Sequence, residues 1–377
     1  MTVTENVTPT LAPGELPSME VASRLDRLRA ALESAELDAL VVSEMTNVRY
    51  LTGFTGSAGM LLVSNSSTLF VTDGRYRAQS AEQLAAAGVD AEIEISATAA
   101  EQSISSAAKG IARLGLEADS ISWSAQRRWA SELFDGELLP TESIVENLRL
   151  RKDPGEVARI RSACAIADAA LSSVSAGLLD GPTEREFALE LEAAMMRLGA
   201  DDLSFETIVA AGENGAKPHH SPTHDPIREG DLVVVDFGAL VDGYHSDMTR
   251  SFTVGEVSDE RRHMFDVVGE SQRAGVEAVR AGIEAIDVDK RCREIIDDAG
   301  WGEAFSHGTG HGVGLDIHEE PRVSTRSTAT LSAGHVVTVE PGVYLPGLGG
   351  VRIEDTVLVT NDGCERLTLA TKDPIPG

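Results

Sequence analysis

Two stretches of this chain answer each other. Residues 229–238 read EGDLVVVDFG and residues 333–342 read AGHVVTVEPG. In each, a glycine is followed six residues on by an acid and eight residues on by a second glycine. Each then turns back to another acid with a threonine two residues beyond, Asp247 with Thr249 and Glu354 with Thr356. Apolar, β-branched runs bounded by glycines read as strands. The chain therefore folds one kind of β-hairpin twice, in duplicated half-domains that each set an acid on both arms.

That pattern has an electrostatic consequence. Folding the first hairpin about residues 241–243 brings Asp236 and Asp247 nearly opposite, and folding the second about Gly347 does the same for Glu340 and Glu354. Directly opposed residues lie about 5 Å apart at Cα, and like charges so placed destabilise a sheet. A cation or a shared proton must relieve them. Four such carboxylates call for divalent metal. The imidazole partner is nominated by residues 306–320, SHGTGHGVGLDIHEE, where His307, His311 and His318 stand among glycines that let backbone approach a site closely. A dinucleotide loop does not fit, because the spacing is not GxGxxG. HExxH is absent as well, since Arg322 stands where the second histidine would be.

The set Asp236, Asp247, His311, Glu340 and Glu354 resembles the dinuclear site of the pita-bread metallopeptidases, which include methionine aminopeptidase, aminopeptidase P and prolidase. The likeness extends to GENGAKPH, HGVGLDIHEE, EPGVY and GVRIEDT, and in the N-terminal part to YLTGFTGSAG and FVTDGRY of creatinase/prolidase N-domains. The resemblance implies an α/β N-terminal domain followed by an α+β pita-bread catalytic domain with a pseudo-twofold repeat. It implies that Asp236 binds one metal, that His311 and Glu340 bind the other, and that Asp247 and Glu354 bridge. Four carboxylates and a neutral imidazole balance two divalent ions. An oxygen-rich set with one imidazole suits Mn²⁺, with Co²⁺ or Zn²⁺ as alternatives, and two such ions activate water and polarise a carbonyl. His219 and His318 match the family's catalytic-pocket histidines, Glu340 is placed to shuttle a proton, His307 supports the site, and Arg352 fixes a ligating carboxylate. His220, beside His219, is expected to be a bystander.

The N-domain implies the Xaa-Pro branch, with proline-containing peptides as substrates. Its motifs favour aminopeptidase P, which removes the first residue from longer peptides. Arg322 in HEEPR favours prolidase, which must neutralise the proline carboxylate of a dipeptide. Aminopeptidase P is the expectation, prolidase the alternative enzyme, and a peptide-binding pita-bread module the non-enzyme reading. A homodimer or larger homo-oligomer is expected from the N-domain. Asp73, Arg75 and Tyr76 either end a hairpin or serve a neighbouring subunit's cleft.

The rest of the chain is consistent with this division. A length of 377 residues suggests two domains. Strand and helix signals alternate through residues 19–147, from a helix over 21–34 to a last helix over 125–134. The locally basic stretch NLRLRKDPGE, residues 147–156, marks the boundary, and a second domain over 153–377 opens with helices at 155–176 and 183–198. Residues 1–18 read as a disordered lead-in without the basic start and apolar core of a signal peptide. With 32 basic and 61 acidic residues the net charge is −29, which excludes a global footprint for nucleic acid or an anionic bilayer. Three widely spaced cysteines are no disulfide framework. No uninterrupted apolar run approaches the ~20 residues of a membrane helix, so a cytoplasmic protein is expected.

Overall fold

The computed structural model describes residues 16–96 and 99–375. Most of the expected lead-in, residues 1–15, lies outside the described residues. The chain divides into two compact units, one of residues 19–149 and one running from Leu150 to the C-terminus, to which the segment before Met19 also belongs. The described end of that segment is ordered: Leu16 packs on the second unit's core, and Arg159 Nη1 donates to the Pro17 carbonyl at 2.9 Å.

In the first unit, α1 (Arg24–Ser34) precedes β1 (Ala39–Val42), α2 (Met45–Thr52), β2 (Met60–Ser64), β3 (Thr68–Thr72), α3 (Arg77–Ala86), β4 (Glu92–Ile95), α4 (Ala100–Ala107), β5 (Arg113–Glu117), α5 (Trp123–Arg128), β6 (Glu137–Thr141) and α6 (Ile144–Arg149). The strands form one sheet in the order β4-β3-β2-β1-β5-β6. Every residue of β1, ALVV, is buried, as a central strand requires. The sequence pattern missed α2, β6 and α6. Pro140 disguises β6, which tolerates a residue without N–H because it is an edge strand. Asp73 caps the turn before α3 and pairs with Arg75 at 2.7 Å, while Tyr76 packs edge-on against Phe54. These three residues thus serve the local fold of their own unit.

The second unit opens with α7 (Pro154–Val174) and α8 (Glu184–Arg197), both started by capping boxes, Asp153 with Glu156 and Thr183 with Glu186. By length and by a mean hydropathy of 1.5 over an 18-residue window, the helical stretch Pro154–Asp180 could cross a bilayer, but half of that window is buried. There follow β7 (Asp202–Leu203), β8 (Ile208–Ala211), β9 (Leu232–Phe237), β10 (Ala239–Val241), β11 (Tyr244–His245) and β12 (Met248–Thr253). Next come α9 (Asp259–Ala278), α10 (Ala285–Asp298), β13 (Gly310–Gly312), β14 (Glu319–Val323), β15 (Val336–Val339), β16 (Gly342–Leu345), β17 (Gly349–Arg352), β18 (Asp355–Val359) and β19 (Cys364–Arg366). Among the described residues of this unit, two apolar cores stand out. One joins α7 and α8 to β9, with Ala167, Leu171, Phe187 and Leu191 against Val233, Val235 and Phe237. The other joins α9 and α10 to the second hairpin, with Met264, Val268, Val288 and Ile296 against Val337, Val339 and Val357. Each hairpin therefore has its own helix pair, which is the pseudo-twofold repeat in three dimensions.

Candidate metal centre

The first hairpin keeps one register from base to tip across a break between β9–β12 and β10–β11, but it does not pair as expected. Asp236 stands opposite Thr249 in the β9–β12 ladder, and Val241 stands opposite Tyr244 at the tip. The turn is the two-residue loop Asp242–Gly243, both at positive φ, +45° and +75°. Asp-Gly is the preferred pair for such a hairpin loop. Centring the fold there puts Asp247 diagonal to Asp236, two residues from Thr249, rather than opposite. Side-chain alternation still gives the two acids one face.

The second hairpin pairs as expected, but its backbone is interrupted. Val339 faces Asp355 at the end of the β15–β18 ladder, and Gly342 faces Arg352 at the start of β16–β17. Glu340 and Glu354 face each other in the gap. Their N–H groups go elsewhere, Glu340 N to the Thr309 carbonyl at 2.7 Å and Glu354 N to the Thr249 carbonyl at 3.1 Å. The histidine segment and the first hairpin are thereby stitched to the second. The threonines of the repeat complete the seam: Thr249 Oγ1 donates to Glu354 Oε2 at 2.7 Å, and Thr356 Oγ1 donates to the Asp247 carbonyl at 2.7 Å.

His311 lies in β13, beside a glycine that close packing requires. A Cβ on Gly310 would come within 2.0 Å of the Thr338 carbonyl oxygen. The His311 Nδ1 lies 3.0 Å from the Gly312 carbonyl, which can only accept, so Nδ1 carries the proton. The Nε2 lone pair is left 3.4 Å from both Asp247 Oδ2 and Glu340 Oε1. A lone pair facing carboxylate oxygens is repulsive unless a cation stands between them. Burial holds the imidazole neutral, its pKa pushed down to about 3. Burial and then the charges of Glu354, Asp236 and Glu340 push Asp247 well above the usual carboxylate range, and burial with Glu340 and Asp236 does the same to Glu354. Asp236 Oδ1 and Glu354 Oε1 are buried and have no hydrogen-bond partner. Ligand atoms of Asp247, His311 and Glu354 lie within 4.8 Å of one another. Orphaned oxygens, crowded acids and a free imidazole lone pair are the donor set of a cation site.

Every residue the sequence nominated lines one cavity of about 510 Å³: Asp236, Asp247, His311, Glu340 and Glu354, with His219, His307, His318, Arg322 and Arg352. His318 and His219 are exposed, and the His318 ring meets His311 edge-on at 4.5 Å. Arg352 is buried; Nη2 donates to Asp236 Oδ2, and Nε reaches Thr249 Oγ1 at 3.0 Å. His307 Nε2 lies 2.9 Å from the Tyr344 hydroxyl, which also accepts from Arg352 Nη1 at 2.8 Å. Sequence reasoning passed over Tyr344 and Thr249, although both stood in quoted repeats. It also passed over Phe205, Ile208 and Ile317, the apolar part of the wall, which has no motif. His220 is not a bystander: it is buried and bonds Glu184 Oε2 at 2.8 Å.

A family model described as metallopeptidase family M24 matches residues 158–361, the whole span of this constellation. The chain belongs to family M24. A second model, described as creatinase/prolidase N-terminal domain, matches residues 24–151. The expected fold, a creatinase-type N-terminal domain before a pita-bread catalytic domain, is the fold found. Among M24 relatives, an Xaa-Pro dipeptidase of Pyrococcus horikoshii is 35% identical, over 91% of this chain and 96% of its own. The structure of an Xaa-Pro dipeptidase from Bacillus anthracis matches with a TM-score of 0.89 at 39% identity, covering 94% of this chain and 99% of that one. An X-Pro aminopeptidase from Thermotoga maritima matches at 0.83 and 33% identity, covering 91% and 98%. As an M24 member with its acid and histidine constellation intact, the chain is a metallopeptidase.

Proposed function

We propose that this M24 enzyme is an Xaa-Pro dipeptidase that uses two divalent cations, Mn²⁺ first among them. The observation that carries the metal is the pair of buried, unpartnered oxygens on Asp236 and Glu354 beside the neutral Nε2 of His311. Asp236 would hold one cation, His311 and Glu340 the other, with Asp247 and Glu354 between them. Bound there, such a pair makes water nucleophilic near neutral pH and polarises the scissile carbonyl.

The chain's own residues supply the rest. Glu340 Oε1, between His311 and Thr338, is placed to take a proton from the attacking water and return it to the proline nitrogen. That nitrogen has no N–H, so the bond is a tertiary amide that needs a dedicated pocket. Phe205, Ile208 and Ile317 offer the ring apolar wall. His219 and His318, at the exposed side, would donate to the carbonyl oxygen as it gains charge.

The dipeptidase reading replaces the expectation of aminopeptidase P. The N-domain motifs that suggested the latter pack their own unit, with Phe54 against Phe70 and Tyr76. Arg322, by contrast, lines the metal cavity beside His318 and Glu340. Dipeptidase relatives at 35% and 39% identity support the same choice. An Xaa-Pro dipeptide presents its carboxylate directly after proline, where a guanidinium can pair with it. With Mn²⁺ added, Xaa-Pro should be cleaved well and Xaa-Pro-Yaa poorly. Arg322→Ala should lower kcat/KM for Xaa-Pro while leaving any cleavage of Xaa-Pro-Yaa little changed. Faster cleavage of the tripeptide by the wild type would restore aminopeptidase P.

A further inference from the structure

His219 stands on the segment 212–223, GENGAKPHHSPT, and that segment closes on a single buried carboxylate. Glu184, the first residue of α8, is fully buried. Its Oε1 accepts from Ala211 N at 2.9 Å and from Asn214 Nδ2 at 3.0 Å. Its Oε2 accepts from His220 Nε2 at 2.8 Å, Thr223 N at 2.9 Å and Thr223 Oγ1 at 2.7 Å. The fastening is mutual: the first-turn N–H groups of α8, on Glu184 and Arg185, donate to the carbonyls of Asp225 and Thr223 at 3.1 and 2.9 Å. Burial alone would raise the Glu184 carboxyl, but the bonds from Ala211, His220 and Thr223 outweigh it and keep it ionised. A carboxylate can only accept, so His220 Nε2 carries a proton.

The consequence falls on the neighbouring residue. Both residues line the cavity, but His219 is exposed there, while His220 is buried with its Nε2 held by Glu184. Two adjacent residues are not independent: fixing the buried ring fixes the backbone from which the exposed ring projects. Glu184 does not line the cavity and is remote in sequence from every proposed metal ligand. We infer that Glu184 and His220 are positioning residues, a buried carboxylate–imidazole clamp that holds His219 at the angle from which it meets the substrate. This rests on the hydrolytic reading of the cavity and adds to it the device that pre-organises one of its donors. Catalytic donors gain their effect from fixed placement, and a displacement of about 1 Å can cost about 100-fold in rate.

The test is a double-mutant cycle on the metal-loaded, full-length enzyme with an Xaa-Pro substrate, with metal content measured in every variant. Glu184→Gln should lower kcat by roughly the factor seen for His219→Ala, about 100-fold, with two ions retained and KM little changed. In the His219→Ala background it should lower kcat no further. Losses that multiply, or full activity in Glu184→Gln, would overturn the inference. If Glu184→Gln does not fold, the gentler pair His220→Gln and His220→Leu decides. Gln can still donate to Glu184 and should retain most activity in the wild-type background, whereas Leu should lose it. Equal activity of the two would equally overturn the clamp. A wild type inactive on Xaa-Pro but active on another peptide would fault the substrate alone, and the same cycle run on that peptide still reads the clamp.

Discussion

The two hairpins of the catalytic unit began as one pattern and reach the same chemistry by different backbones. In the first, β9 and β12 pair without interruption, and Asp236 takes its place within the ladder opposite Thr249. In the second, the ladder stops at Val339–Asp355 and resumes at Gly342–Arg352, and both acids sit in the gap. The first hairpin keeps Asp236 inside a ladder, but it too breaks, between β9–β12 and β10–β11, and Asp247 lies in that break with its carbonyl accepting from Thr356 Oγ1 at 2.7 Å. The second sets both of its acids in its break and lends their N–H groups to the histidine segment and to the first hairpin. The difference teaches that sequence symmetry fixes the type and order of the acids, while the connections between halves differ on the two sides: the first hairpin donates through the Thr249 side chain, the second through the Thr356 side chain and the Glu354 N–H.

The comparison can be broken most severely at the gap. Glu354→Ala should abolish turnover and the retention of metal together, measured by assay and elemental analysis on the same sample. The unpartnered oxygen leaves the site, and so does the acceptor of Thr249. Full occupancy with normal turnover would detach the gap from metal binding.

A smaller effect distinguishes the two threonines that cross the seam. Thr249→Val removes a donor from a carboxylate and an acceptor from Arg352, whereas Thr356→Val removes a donor from a backbone carbonyl. Hydrogen bonds to charged groups contribute about 1.5–3 kcal/mol and neutral ones about 0.5–1.5 kcal/mol. Thr249→Val should therefore cost more stability in urea titration of the metal-loaded enzyme. Equal costs, or the reverse order, would mean that the seam is as symmetric as the sequence.

The smallest expected effect is at the tips. Gly243 and Gly347 hold φ of +75° and +82°. Alanine at either should cost about 1–2 kcal/mol, the left-handed penalty for a residue with a β-carbon. Gly243→Ala should leave the metal site unchanged in occupancy, because the register of β9 and β12 is held along the whole ladder. A loss of metal there would show that the turn, rather than the ladder, sets the register of the first hairpin.

What was legible in the sequence follows from the same physics. The five acid and imidazole positions stood out because their chemistry repeats at fixed spacing, and the cavity gathers all of them. The partner of Asp236 was misread by two residues, Asp247 for Thr249, although Asp242-Gly243 carried the turn signal; placing the centre one residue early moved every partner by two. Pro140 hid a strand, and MTNVRYLT hid a helix too short to show a period. The partners of Glu184 could not be read from sequence at all. They are separated from it by 27 to 39 positions and meet only through folding. The subfamily was the least legible part, because the N-domain motifs that favoured aminopeptidase P build one unit while cleavage belongs to the other, and the dipeptidase relatives fit the alternative reading better.

The seam has a consequence for how the site comes apart. Glu340 and Glu354 owe their backbone placement to Thr309 and Thr249, and Asp247 owes part of its own to Thr356. A shift of the second hairpin must therefore tear bonds to the histidine segment and to the first hairpin at the same moment. Single acids cannot swing out in turn, as they could from flexible loops. Chelation should thus resemble drawing a keystone: intermediate occupancies are scarce, and what the chelator meets is either the assembled vault or its collapse.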